Sequence, residues 1–219
     1  MRPCEFQDLG VMPFAAAWDL QKSLAERRKR GEIPDQLLIV EHPPVITMGR
    51  NGHDGNLLTS PEHLQSLGID FARIDRGGDV TFHGPGQIVG YPILDLREWK
   101  RDVGAYLRAL EQLLIDTLAD SGLAGERWPG KTGVWIDGAK VAAMGVHLSR
   151  WVTTHGFALN LDIDLTYFQH IVPCGLALPV TSMRAAGSTA RRSQVVDALT
   201  RHFAQQFNTE ILVPQESFT

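Results

Sequence analysis

The residue with the greatest chemical potential in this chain of 219 residues is Cys174, set in Val172-Pro173-Cys174-Gly175. Proline stiffens the approach to the sulfur, and glycine leaves one side of it open to a bulky substrate. That setting suits a nucleophile, although a cysteine among apolar residues is, taken alone, more often a small buried hydrophobe. A thiol with a pKa of about 8.5 is mostly protonated at neutral pH, so a catalytic cysteine needs a cation or base nearby. Lys140 is the candidate: it follows the turn Asp137-Gly138 and opens the apolar run Val141 to Val146, with no acid directly flanking it. The competing reading is a lysine guarding an exposed strand edge.

A second constellation is Arg76-Gly77-Gly78-Asp79-Val80-Thr81-Phe82-His83-Gly84-Pro85-Gly86-Gln87. Two glycine turns enclose a strand that carries Thr81 and His83, and glycines let backbone amides approach a ligand. Two tight hairpin turns with no further role would give the same glycines; it is their combination with His83 and Gln87 that points to a site. No window supplies the Gly-Lys-Ser/Thr ending of a phosphate loop, so classical nucleotide hydrolysis is disfavoured. His147, His155 and His170 form no compact metal-binding motif with either cysteine, and no metal is expected.

These residues need elements to hold them. Phe14, Ala17, Leu20 and Leu24 recur at helical spacing, with basic residues before Gly31, and predict an opening helix over Met12 to Arg30. Gln36 to Val40 and Val45 to Met48 read as strands on either side of the rigid His42-Pro43-Pro44. Ser60-Pro61 starts a short helix that ends at Gly68. Ile69 to Ile74, Val80 to His83 and Ile88 to Leu94 read as further strands. A long helix runs from its N-cap Asp102 through Tyr106, Leu107, Leu110, Leu113, Leu114 and Leu118, an apolar stripe wide enough to cover a sheet. Gly133 to Ile136 and Ala139 to Val146 flank Asp137-Gly138, a pair that favours a tight hairpin turn, and Trp151 to Leu161 continues as a strand. Val195 to Phe207 closes the chain as an amphipathic helix with Ser193 as its expected cap. Strands that come in hairpins, rather than alternating strictly with helices, predict an α/β chain of the α+β type. Its sheet is expected to be mixed and largely antiparallel, with helices packed on it, and not a parallel doubly wound one.

Composition bounds the rest. Hydrophobic residues at 43% and charged residues at 21% are the balance of a folded globular chain, and the length fits one domain over 1–219. A net charge of −4 argues against nucleic acid as a partner. Met1 to Gly10 holds Arg2, Glu5 and Asp8 and no apolar run, so neither a secretory leader nor a membrane association is expected and the cytoplasm is the expected compartment. In that compartment Cys4 and Cys174 are free thiols. Two basic runs, Arg27 to Arg30 and Arg97 with Lys100 and Arg101, read either as solvated helix ends or as docking points for an acidic protein.

The run Arg76 to Gln87 resembles the signature of the lipoyl(octanoyl) transferases. Gly138-Ala139-Lys140 and Pro173-Cys174-Gly175 stand where that family has its lysine and its cysteine, in the same order. The likeness extends from the first helix to about Met183. It implies a fold similar to the catalytic domain of biotin and lipoate protein ligases. It also implies transfer of an octanoyl group from acyl carrier protein to a lysine of lipoyl domains, those of the 2-oxoacid dehydrogenase complexes and the glycine cleavage H protein. No cofactor is implied, because the acyl group arrives on the carrier's phosphopantetheine. By the same resemblance Cys174 carries the acyl group and Lys140 activates it. Substrate contacts are implied for Arg76, Gly77, Gly78, Asp79, Val80, Thr81, Phe82 and His83, for Ala143, Met144 and Gly145, and for Gly156, Phe157 and Ala158. Three rivals differ in mechanism: an ATP-dependent lipoate or biotin ligase, an acyl- or lipoyl-domain-binding module without turnover, and a Cys-His hydrolase using Cys174 with His83 or His155.

Overall fold

In the computed structural model, which describes residues 1–172 and 179–213, ten strands build one large and one small sheet, accompanied by four α-helices. The chain opens with β1 (Arg2–Val11), α1 (Phe14–Lys29), β2 (Asp35–Glu41) and β3 (Val45–Met48). It continues with α2 (Pro61–Ser66), β4 (Asp70–Arg73), β5 (Val80–His83), β6 (Gln87–Ile93) and α3 (Val103–Asp120). β7 (Val134–Ile136), β8 (Ala139–Ser149), β9 (Val152–Asn160), α4 (Arg192–Phe207) and β10 (Thr209–Leu212) complete it. The large sheet has the order β10-β1-β2-β6-β9-β8-β7, and the small one β4-β3-β5. β1 runs parallel to both β2 and β10, and β3 parallel to β4, while every other pair is antiparallel. The mixed, largely antiparallel sheet expected from the hairpins is therefore present.

The two-residue period of a strand divides the core. Leu37 and Ile39 of β2 join Leu110, Leu113 and Leu114 of α3 and Phe203 and Phe207 of α4 on one face. Leu38 and Val40 meet Ala17, Leu24 and Ala25 of α1 on the other. The middle of β2, Leu37 to Val40, is covered on both sides and apolar without alternation, as a buried central strand should be. The small sheet has its own core, in which Ile46, Met48, Val80 and Phe82 pack with Leu64, Ile163 and Ile171. The helix caps follow their sequence signals at Ser60, which accepts from the His63 amide, and at Asp102, which accepts from the Ala105 amide.

Some expectations are corrected. The first ten residues, to which the sequence assigned no element, form β1, which pairs on both edges despite its charges. The last helix begins before Ser193, at Arg192, and the Gln194 side chain accepts from the Arg191 amide in place of a serine cap. Arg28 is no solvated helix end. It lies one helical turn after Leu24 on the sheet-facing side and is buried, its Nε donating to Asp35 at 2.8 Å and Nη2 lying 2.7 Å from Glu98. Removing one member of such a buried pair costs about 3–5 kcal/mol, because the other charge is left without compensation. Arg97 is likewise engaged, bound to the Asp95 carboxylate.

Candidate active site

The two sheets meet at a partly open cavity of about 50 Å³. Its floor is β8 and β9, where register places Ala143 opposite Ala158 and Gly145 opposite Gly156. Small residues at these two cross-strand pairs leave a trough in the sheet face, with Gly156 small because a Cβ there would meet the Gly90 oxygen of the neighbouring strand at 2.2 Å. Met144 and Phe157, the pair between them, border the cavity but turn their side chains into the α3–α4 core. The opposite wall comes from the glycine turn, with Arg76, Gly78, Asp79, Val80, Thr81 and His83. Phe14, Ile74, Val89 and Tyr91 also line it and carried no motif in the sequence. They are apolar or aromatic side chains of ordinary helix and strand positions, recognisable as lining only once the sheets are folded together.

The glycine turn is held against the floor by close backbone approach. The Gly77 amide donates to the Val146 carbonyl at 2.9 Å. A Cβ at Gly145 would come within 2.9 Å of both the Arg76 Cδ and the Gly77 oxygen, and one at Gly49 within 2.4 Å of the Gly78 oxygen. Arg76 is buried; its Nη2 donates to the Thr47 carbonyl at 2.8 Å and its hydroxyl at 2.9 Å. The Asp79 carboxylate accepts from the amides of His53 and Val80 and from the Asn56 side chain, tying the 53–56 loop to the wall. Gly77 itself does not line the cavity, and Phe82 is buried in the small sheet's core, stacked on Tyr167 at 4.7 Å.

Buried histidines surround one end. His83 stacks on Phe14 at 6.3 Å, and its Nδ1 lies 2.7 Å from the Gln87 Oε1. An amide oxygen only accepts, so this nitrogen carries the proton. Burial pushes the His83 pKa down to about 3, with His42 beside it acting in the same direction and the Gln87 hydrogen bond opposing. His42, between the Met12 carbonyl and the Tyr91 hydroxyl, is also held neutral by burial. His155 takes a left-handed backbone conformation (φ +57°) in the middle of β9, its amide donating to Gln21 at 2.8 Å. Left-handed φ in a non-glycine residue carries about 1–2 kcal/mol of strain, which surrounding contacts must hold in place. Burial lowers its pKa, so a neutral ring donates from Nε2 to Asp75 at 2.8 Å, and that bond helps hold the Asp75 carboxyl down at about 2. Each of the two rings uses one nitrogen in these bonds, Nδ1 of His83 toward Gln87 and Nε2 of His155 toward Asp75.

Lys140 lines a smaller cavity of about 20 Å³ with Gln87, Asn160, Phe168 and Val180. Thr81 and Ala143 belong to both cavities, so the two are neighbours. A hydrogen-bonded chain runs along this boundary: Gln87 Nε2 donates to Asn160 Oδ1 at 2.9 Å, and Asn160 Nδ2 donates to the Thr181 carbonyl at 2.9 Å. Asn160 went unremarked in the sequence because it ends a strand and sits in no glycine motif. The Lys140 amide donates to the Pro179 carbonyl, and the Thr181 amide to the Lys140 carbonyl. Cys174 lies outside the described residues, with Pro173 and Gly175. The chain before it is tied by the Val172 amide to the Asn56 carbonyl. The other cysteine, Cys4, is a buried free thiol whose pKa burial pushes far up. No helix among the described residues is long and apolar enough to cross a membrane.

Comparison with known proteins adds to this geometry. Residues 13–204 match the family model of the lipoyl protein ligase A/B catalytic domain. An octanoyltransferase of Solibacter usitatus is 59% identical over 212 residues, covering 97% of this chain and 96% of the relative. One of Koribacter versatilis is 48% identical, covering 94% and 84%. Among solved structures, a Thermoplasma acidophilum protein with bound lipoic acid superposes with a TM-score of 0.78 at 16% identity, covering 99% of this chain and 91% of that one. A lipoate-protein ligase A bound with ATP gives 0.75 at 14%, covering 99% and 90%. A biotin protein ligase from Aquifex aeolicus with biotin and ATP gives 0.54 at 13%, covering 95% and 71%.

Proposed function

The chain belongs to the lipoyl protein ligase A/B catalytic-domain family and, within it, to the octanoyltransferases, and from that premise we propose the following transfer. It takes an octanoyl group from the phosphopantetheine thioester of acyl carrier protein, holds it on Cys174, and passes it to a lysine amine of a lipoyl domain. That it is an acyltransferase follows from the family; the donor, the carrier cysteine and the acceptor are the proposal. The observation that carries it is the 59% identity to an octanoyltransferase over nearly the full length of both chains.

In the first step the Cys174 thiolate attacks the thioester carbonyl, the C–S bond to pantetheine breaks, and the departing thiolate takes up a proton. One thioester replaces another, so the step is close to isoenergetic. In the second, the acceptor amine attacks the acyl-enzyme, the new C–S bond breaks, an amide forms, and the amine's surplus proton leaves. Amide formation makes this step irreversible in practice, and ping-pong kinetics follow. Lys140, as an ammonium, favours the Cys174 thiolate, and once deprotonated it is the base for the incoming amine. The trough between the Ala143–Ala158 and Gly145–Gly156 pairs is the berth for the acyl chain, and burying each methylene is worth about 0.8 kcal/mol. The lipoyl domain as acceptor is supported by the lipoylation chemistry of the family.

The test is intact-protein mass after mixing with octanoyl carrier protein, without ATP. A gain of one octanoyl group that Cys174→Ala abolishes supports the route. No gain, an equal gain without the Cys174 sulfur, or a requirement for ATP as in a ligase, refutes it.

A further inference from the structure

We propose that Trp135 is a positioning residue for Lys140: its indole face holds the lysine ammonium in the orientation that acyl transfer uses. This deepens the function proposed above and rests on Lys140 being the group that serves Cys174. Trp135 is fully buried in β7 and pairs with Lys140 across the β7–β8 hairpin. The Lys140 Nζ lies 5.1 Å from the centroid of the indole, within the range where the negative face of the ring attracts an ammonium.

The ring is held rigidly. Gly133 packs against it so closely that a Cβ there would meet the six-membered ring at 3.0 Å. Trp128 abuts it edge-to-face, with centroids 5.8 Å apart, and Lys131 caps Trp128 at 4.7 Å. The backbone of Trp135 exchanges both its hydrogen bonds with Glu126. The indole N–H, by contrast, is buried with no hydrogen-bond partner among the described residues. What the structure gives the ammonium is therefore the ring face and not the polar edge of the indole. Lysine is a point charge on a flexible stem of four carbons, and a fixed π surface on one side narrows the positions it can take at the cavity wall.

Site-specific replacement of Trp135 by tryptophans bearing one, two and three ring fluorines keeps the shape and weakens the face stepwise. With octanoyl carrier protein as donor and a lipoyl domain as acceptor, kcat should fall with each fluorine, about three- to tenfold over the series, while KM stays unchanged. A flat series overturns the proposal, and so does a loss confined to KM. Trp135→Phe, which keeps a weaker face, should retain more activity than Trp135→Leu; equal losses count against it. Lys140→Ala separates the inference from its premise. If Lys140→Ala transfers at the wild-type rate, the role given to Lys140 fails and this one with it. If it is inactive while the fluorine series is flat, only the role of Trp135 fails.

Discussion

Removing the titration of His83 should make the protein markedly less sensitive to acid. The ring is buried, stacked on Phe14 and bonded to Gln87, and its pKa is pushed down to about 3 from an ordinary 6.5. Between those two values the unfolded chain binds a proton that the folded chain refuses, so stability falls as pH drops below 6.5 and continues falling toward 3. One pKa unit corresponds to about 1.4 kcal/mol, so lowering the pH from 8 to 5 should cost about 2 kcal/mol through this residue alone. That is a sizeable share of the 5–15 kcal/mol that typically separates folded from unfolded states. His42 and His155, whose pKa values burial also lowers, act in the same direction. Asp75, held down at about 2, loses its contribution only below its ordinary value of 3.8, outside this window. The assay is urea unfolding of the wild type and of His83→Asn at pH 8 and pH 5. The asparagine keeps a polar group beside Gln87 and does not titrate. The wild type should lose about 2 kcal/mol more than the variant between the two pH values. Equal losses would mean that His83 is protonated in the folded state, and the burial argument would be wrong.

Three other outcomes follow from the site. Cys174→Ala should abolish acyl-enzyme formation and Cys174→Ser nearly so, whereas Cys4→Ala, which removes a buried thiol of β1, should transfer at close to the wild-type rate; mass spectrometry and a gel assay of acceptor octanoylation read both. Shortening the donor from octanoyl to hexanoyl removes two methylenes from the trough, about 1.6 kcal/mol, and should lower kcat/KM roughly tenfold or more; an unchanged ratio would place the chain outside the cavity. Gly156→Ala sets a methyl 2.2 Å from the Gly90 oxygen and 2.6 Å from the Pro92 Cδ, so thermal unfolding should show a loss of about 2–3 kcal/mol, while Gly55→Ala, with nothing within 4 Å, should be near neutral.

Much of this protein was legible before folding. Local chemistry fixes a serine or aspartate cap, a glycine turn or a two-residue hairpin within a few residues, so α2, α3 and the β7–β8 hairpin follow from Ser60, Asp102 and Asp137-Gly138. Their hairpin order gave the mixed, largely antiparallel sheet. The motif residues from Arg76 to His83, with Lys140 and Cys174, were likewise visible as types at spacings, and with them the family. β1 was not. Its residues Arg2, Glu5 and Asp8 carry no apolar run, and it is a strand because β2 and β10 offer hydrogen-bonding edges on both sides, partners far away in sequence. Arg28 among four consecutive basic residues could not announce its burial, since that depends on Asp35 and Glu98 arriving beneath one face of α1. The trough is of the same kind. Ala143, Gly145, Gly156 and Ala158 were marked by the family resemblance alone and not by their residue types, and only the β8–β9 register lines them up, while Phe14 and Tyr91 join the site from distant segments. Sequence determines what is governed by neighbours along the chain; surfaces made by strands and helices meeting from afar, and the pKa of the groups they bury, exist only once the chain has folded.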